Sequence, residues 1–152
     1  MAEIRTTHLM TMTLAVSGMQ AIGATPSGNR RIGLVAGGTF QGERLRGTVL
    51  PGGADWIVVR GDGATTLDVR LVLETDDKAL VGMTYRGMRH GPAAVMERLN
   101  RGDAVDASEY YFRTSVAFET AAAKYDWLNR IIAVGTGRRP PEGPVYDIFE
   151  VL

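Results

Sequence analysis

Between Thr65 and Glu74 the chain alternates strictly, with Leu67, Val69, Leu71 and Leu73 on one face and Asp68, Arg70, Val72 and Glu74 on the other. A period of two is the pattern of a strand with one buried face. Gly61-Asp62-Gly63 precedes this segment and Thr75-Asp76-Asp77-Lys78 follows it. Both are turn sequences, since glycine accepts positive φ freely and aspartate tolerates it. The chain then returns over Ala79 to Arg86 through Val81, Met83 and Tyr85. Connections this short leave no room for a crossover helix, so the neighbours are antiparallel.

The same alternation runs from Thr6 to Val16, with His8, Met10, Met12, Leu14 and Val16 on one face. Ser17 to Arg30, with Gly18, Gly23, Pro26 and Gly28, reads as a loop. Strands are expected over Ile32–Ala36, Arg44–Leu50, Ala54–Arg60, Glu109–Ala117, Trp127–Val134 and Val145–Val151. One helix is signalled, from Pro92 through Val95, Met96 and Leu99 to a stop at Gly102. Phe118 to Tyr125 reads as a turn or short helix, and Gly135 to Pro144 as a loop. The 19 glycines among 152 residues exceed ordinary usage and fit turn-rich β structure. The expectation is one all-β domain over residues 1–152, a closed antiparallel meander barrel of about eight strands with one short helical insert. A flattened sandwich is the alternative.

Composition removes several function classes. There is no cysteine, so disulfides, thiolate metal sites and a cysteine nucleophile are out. Seventeen basic residues balance seventeen acidic ones, which gives no support for nucleic acid or an anionic membrane as partner. No Walker, dinucleotide-binding or G-x-S-x-G pattern is present, and two histidines, His8 and His90, are a poor start for a metal site. No metal and no cofactor are therefore expected. The sequence opens without a basic leader and apolar run, so a cytoplasmic location is expected.

Three polar constellations remain. Asp68 and Arg70 share a strand face about 6.6 Å apart. They form a site if that face looks into a lumen and a solvated ion pair if it looks outward. The second runs from Tyr111-Phe112-Arg113 through Glu119 to Trp127 and Asn129. Trp127 and Asn129 would share one strand face as apolar wall and hydrogen-bonding group. The third is Pro51-Gly52-Gly53-Ala54-Asp55-Trp56, a tight bend in which Asp55 caps the turn and Trp56 is buried.

Gly37-Gly38-Thr39-Phe40, Leu45-Arg46-Gly47, Pro51 to Trp56, Leu67-Asp68-Val69-Arg70, Tyr111 to Thr114, Phe118-Glu119-Thr120 and Trp127 to Arg130 together resemble the bacterial and fungal family called domain of unknown function 3237. The resemblance spans about Ile32 to Leu152. It implies a closed antiparallel barrel of the allene oxide cyclase and dirigent type, and it carries no established reaction. The Pro92–Gly102 helix and the Arg138–Pro144 loop are less typical and are candidate lids or specificity elements. On this reading Asp68, Arg70 and Glu119 are the catalytic candidates, and Trp56, Tyr85, Arg113, Trp127 and Asn129 the substrate-binding ones. The expected activity is cofactor-independent acid–base chemistry (isomerase, cyclase, or hydratase/lyase) on a small aromatic or cyclic carbonyl compound. A non-catalytic ligand carrier and a structural or oligomerisation domain are the alternatives. The expected partners are a small-molecule ligand and a second copy of the chain, as a homo-oligomer and most simply a dimer.

Overall fold

The computed structural model describes residues 2–152. Nine strands form a single antiparallel sheet: β1 (Thr6–Thr25), β2 (Gly28–Gln41), β3 (Arg46–Val49), β4 (Gly53–Val59), β5 (Thr65–Thr75), β6 (Leu80–His90), β7 (Tyr111–Glu119), β8 (Ala133–Arg138) and β9 (Val145–Val151). Apart from β3 and β4, each pairs with its neighbour in sequence, and β9 returns to pair with β1, which closes the ring. The barrel has eight staves, because β3 and β4 are two halves of one. Both lie between β2 and β5, β3 opposite Gly38–Gln41 and β4 opposite Asn29–Val35. The break between them is the Leu50–Gly52 bend, where Gly52 takes φ +105°. Closure removes the sheet edge over Thr6–Thr13, while Val16–Thr25 of β1 pairs with β2 alone and keeps one free edge.

Alternation decides what fills the barrel. On β5, Leu67, Val69, Leu71 and Leu73 are buried while Asp68, Arg70 and Val72 are exposed. On β7, Phe112, Thr114, Val116 and Phe118 face in. The core of the lower half is aliphatic and methionine-rich, with Met10, Met12, Leu73, Val81 and Met83 sealed from solvent. A 3-10 segment, Ala123–Arg130, plugs that end with Tyr125 and Leu128. Three donors converge there on Asp77: the Tyr125 hydroxyl and Lys124 Nζ at 2.8 Å each, and Thr75 Oγ1 at 2.5 Å. They hold the Asp77 carboxyl well below the usual carboxylate range.

The other end carries the β1–β2, β4–β5 and β8–β9 connections and the helix α1 (Ala93–Asn100), which follows β6 directly. Val95 and Leu99 bury against the barrel at helical spacing. Among the described residues no helix is long and apolar enough to cross a membrane.

Four local expectations are corrected. Ser17 to Arg30 is not a loop: β1 and β2 continue as a paired hairpin to a turn at Pro26-Ser27. The glycines there are absorbed by ladder irregularities, and the partner strand supplies the backbone bonds. A bulge between His8 and Met10 also buries Leu9 beside Met10, and Val16 is exposed. Trp127 to Asn129 is helical, not strand. Tyr125 and Leu128 bury at i, i+3, Asp126 pairs with Arg130 at 2.6 Å, and the Asn129 amide bonds both backbone groups of Thr120. Trp56 lies outside, half exposed, because the inward phase of β4 belongs to Asp55 and Ile57.

Candidate functional site in the barrel lumen

The upper half of the barrel is hollow. A cavity of about 380 Å³ lies there, walled by Leu14, Val35, Ile57, Leu67 and Val69 and by Tyr85 and Tyr146. Asn100 at the end of α1 and the segment Pro141–Pro144 line its mouth. That segment is tied to the barrel at both ends: the Leu14 amide donates to the Pro144 carbonyl at 3.1 Å, and the Arg139 amide to the Tyr110 hydroxyl at 2.8 Å. The helix and the loop thus occupy the rim, where lid or specificity elements belong. The volume suits a small ligand, and apolar wall and polar side chains share the lining.

Asp55 is the acid of the cavity. Its neighbours in β4 and β5 pair normally at Ala54–Arg70, Asp55–Val69 and Val58–Thr66, but the ladder is interrupted between them. At the gap the Asp68 amide donates to Asp55 Oδ1 at 3.2 Å, and the Trp56 carbonyl accepts from Arg30 Nη1 at 3.1 Å. Broken pairing therefore anchors Asp55 by one oxygen while its side chain lines the lumen. Burial pushes its carboxyl up to about 6, and the Asp68 amide and Arg89 only partly oppose this. A carboxyl in that range exchanges a proton readily near neutral pH.

Two tyrosines and three arginines surround it. Tyr85 and Tyr146 are both 2% exposed, with ring centroids 5.1 Å apart. Burial pushes the Tyr85 hydroxyl well above 10 and that of Tyr146 up to about 12. Both therefore stay protonated and can donate to a developing oxyanion. The Tyr85 hydroxyl makes no hydrogen bond of good geometry, and only the Tyr146 side chain is near enough to partner it. Arg89, 3% exposed, stacks over Phe112 at 5.3 Å. Burial, reinforced by Arg139, lowers it to about 10, so it remains a cation at neutral pH. Its Nε and that of Arg31 are buried without a partner. A glycine makes room for this stack, since a Cβ on Gly137 would lie 2.6–2.7 Å from three Phe112 ring atoms. Phe112 in turn meets Tyr146 edge-on at 5.4 Å.

Of the eight catalytic and substrate-binding candidates named from sequence, only Tyr85 lines this cavity. Asp68 and Arg70 do share a face, but it is the outer one. Arg113 lies on the outer wall in an open groove with Arg86, Val134 and Phe149, and its Nη1 donates to the Phe112 carbonyl at 2.8 Å. Glu119 is exposed at the far end of β7. Trp127 packs under the Arg44 guanidinium at 4.0 Å, and Arg44 also pairs with Glu150. Asn129 closes the Thr120 turn. Trp56 stacks with Arg30 outside the barrel. Asp68, Arg70, Arg113 and Glu119 thus do not converge on a lumen, because each sits in the solvent phase of its strand. Sequence reasoning missed Arg31, Arg89, Arg139 and Tyr146, and it gave Asp55 only a turn-capping role. Among the described residues no group of three or more acidic or histidine side chains could hold a metal ion.

The fold defines this chain as a closed antiparallel β-barrel protein with a polar cavity at one mouth, and its solved relatives share the barrel fold. Residues 4–151 match the family described as protein of unknown function DUF3237, and the chain belongs to that family. The UPF0311 protein RPA1785 of Rhodopseudomonas palustris is 36% identical over 149 residues, covering 98% of this chain and 97% of the relative. The crystal structure of RPA1785 superposes with a TM-score of 0.93 over 100% of this chain and 99% of that one, at 34% identity. A beta-barrel like protein from Acinetobacter baumannii AYE gives 0.86 at 37% identity, covering 99% of this chain and 98% of the other. An enzyme from Penicillium herquei shares the fold at 0.76 and 20% identity, over 99% and 96% of the two chains.

Proposed function

We propose that the protein is a cofactor-independent acid–base enzyme acting on a small aromatic or cyclic carbonyl compound held in the barrel lumen. The reaction is an isomerisation, a cyclisation, or an addition or elimination of water. Asp55 takes a proton from carbon or oxygen of the substrate and returns it to the product. The Tyr85 hydroxyl donates to the substrate oxygen, and the Arg89 charge stabilises the negative charge that develops there. The aliphatic walls exclude water and hold the ring. The observation that carries this reading is one carboxyl raised to about 6 by burial, in the same cavity as two buried tyrosine hydroxyls that have only each other for a partner. That an enzyme from Penicillium herquei is built on the same fold is consistent with it.

The test uses proton exchange, which reads the acid–base step itself whatever the product. The protein is incubated in D₂O with a panel of cyclic and aryl ketones, and deuteration next to the carbonyl, or conversion, is followed by NMR. Asp55→Asn is expected to lower the rate by about 10²-fold or more, and Tyr85→Phe by a smaller factor. Exchange that persists unchanged in folded Asp55→Asn protein refutes the assignment. Ligand binding without exchange across the panel favours the carrier reading.

A further inference from the structure

The lumen is cationic and unpaired. Arg31, Arg89 and Arg139 line it against a single inward carboxyl, Asp55, with Glu142 exposed at the rim. On the surface, Arg44, Arg60, Arg98, Arg101, Arg130 and Arg138 each meet a carboxylate within 3.2 Å, and the arginines without one, such as Arg70, Arg86 and Arg113, face solvent. None of the three lumen arginines has an ion-pair partner among the described residues, although burial makes pairing matter far more there. Arg31 and Arg139 are close enough to Arg89 for their charges to oppose its own. Two Nε donors remain unsatisfied inside the wall. A barrel that gathers three guanidiniums and leaves them without acids is complementary to a ligand that brings the anion.

We propose that the lumen takes its ligand as an organic monocarboxylate, with Arg89 and Arg31 gripping the carboxylate and the apolar walls holding the ring or chain attached to it. The guanidinium fork matches a planar carboxylate with two parallel hydrogen bonds. A phosphate is a poorer fit. Phosphate sites commonly draw on free backbone amides at helix starts or glycine-rich loops, whereas the amides of these walls are committed to the barrel ladders. Arg139, on the rim loop, sits where it meets the anion first. This inference rests on the lumen being the ligand site but not on Asp55 being the acid–base group.

The probe is benzoate against benzamide, titrated into the full-length protein at about pH 8, where Asp55 is ionised, and followed by backbone amide NMR shifts. Benzoate is expected to bind at least about tenfold tighter than benzamide, with shifts centred on Val69, Tyr85 and Tyr146. Arg89→Gln and Arg31→Gln each reduce that preference, while Asp55→Asn preserves or increases it, because it removes the one opposing charge. Equal affinity for acid and amide overturns the proposal, as does a preference untouched by both arginine variants or shifts confined to the outer wall. If Arg89→Gln does not fold, the acid–amide ratio of the wild type and Arg31→Gln decides. A carboxylate preference alongside Asp55-independent exchange sinks the acid–base reading alone. Asp55-dependent exchange without a carboxylate preference sinks this one alone.

Discussion

Asp55 makes the protein less stable than it need be at neutral pH, and the size of that effect can be worked out. Burial lifts its carboxyl from an ordinary 3.8 to about 6 in the folded state. In the unfolded chain the group ionises near 3.8, so between these values the folded state holds a proton that the unfolded state has released. By linkage, stability attributable to this group is complete below about 3.8, falls as pH rises to about 6, and is then constant. At about 1.4 kcal/mol per pH unit, the loss is on the order of 3 kcal/mol. Burial places Arg89 at about 10, Tyr146 at about 12 and Tyr85 well above 10, all clear of this window. Asp55→Asn keeps an oxygen to accept the Asp68 amide and removes the titration. Urea unfolding of wild type and variant across pH 4 to 8 should therefore give nearly equal stabilities at the acid end. The variant should become more stable by up to about 3 kcal/mol above pH 6, even as it loses proton exchange, as expected where a functional group is kept at a cost in stability. A stability difference that does not change with pH, or that grows toward acid, would refute the claim that burial dominates at this carboxyl.

Other outcomes follow from the packing around the site. Gly137→Ala should cost about 1–3 kcal/mol in chemical denaturation, because the new methyl enters the Phe112 ring; the aromatic NMR signals of Phe112 and Tyr146 should shift with it. Tyr125→Phe removes one of three donors to Asp77 and should lower stability by about 1 kcal/mol, measured by thermal unfolding. Proton exchange on the ketone panel should be unchanged, since that plug is at the opposite end of the barrel. Lys78 adopts φ +71° in the β5–β6 turn. Lys78→Gly should relieve that strain and raise stability by about 0.5 kcal/mol, read as a small increase in the urea midpoint.

Much of the fold was legible because period-two alternation and turn chemistry are local. Leu67 to Leu73, the Gly61-Asp62-Gly63 turn and the returning β6 follow from residues close together in sequence. The errors arose where a distant partner set the outcome. Ser17 to Arg30 has the composition of a loop and becomes a ladder because β1 and β2 pair with each other. The Trp127–Val134 segment carries its strand-forming residues at Ile131, Ile132 and Val134, and its first part is helical because Tyr125 and Leu128 have a barrel end to fill.

The candidates Asp68, Arg70, Arg113 and Glu119 fell on the outer wall through parity. Charged residues opposite an apolar face, such as Asp68 and Arg70, are what any half-buried strand shows to water. The informative residues break the pattern from within: Arg89 shares the inward phase of Val81, Met83 and Tyr85, and Asp55 shares that of Ile57. That signal was in the sequence, as a charge standing where an apolar residue was due. What no local pattern contains is that the odd residues of β2, β4, β6 and the rim loop meet at one mouth. Alternation determined which residues point inward, because the pleat sends successive side chains to opposite faces. Only closure of the sheet decided which inward residues face each other, because strand order and register bring together side chains from distant parts of the sequence. Closure also placed the polar ones together, where burial raises the Asp55 carboxyl and lowers Arg89.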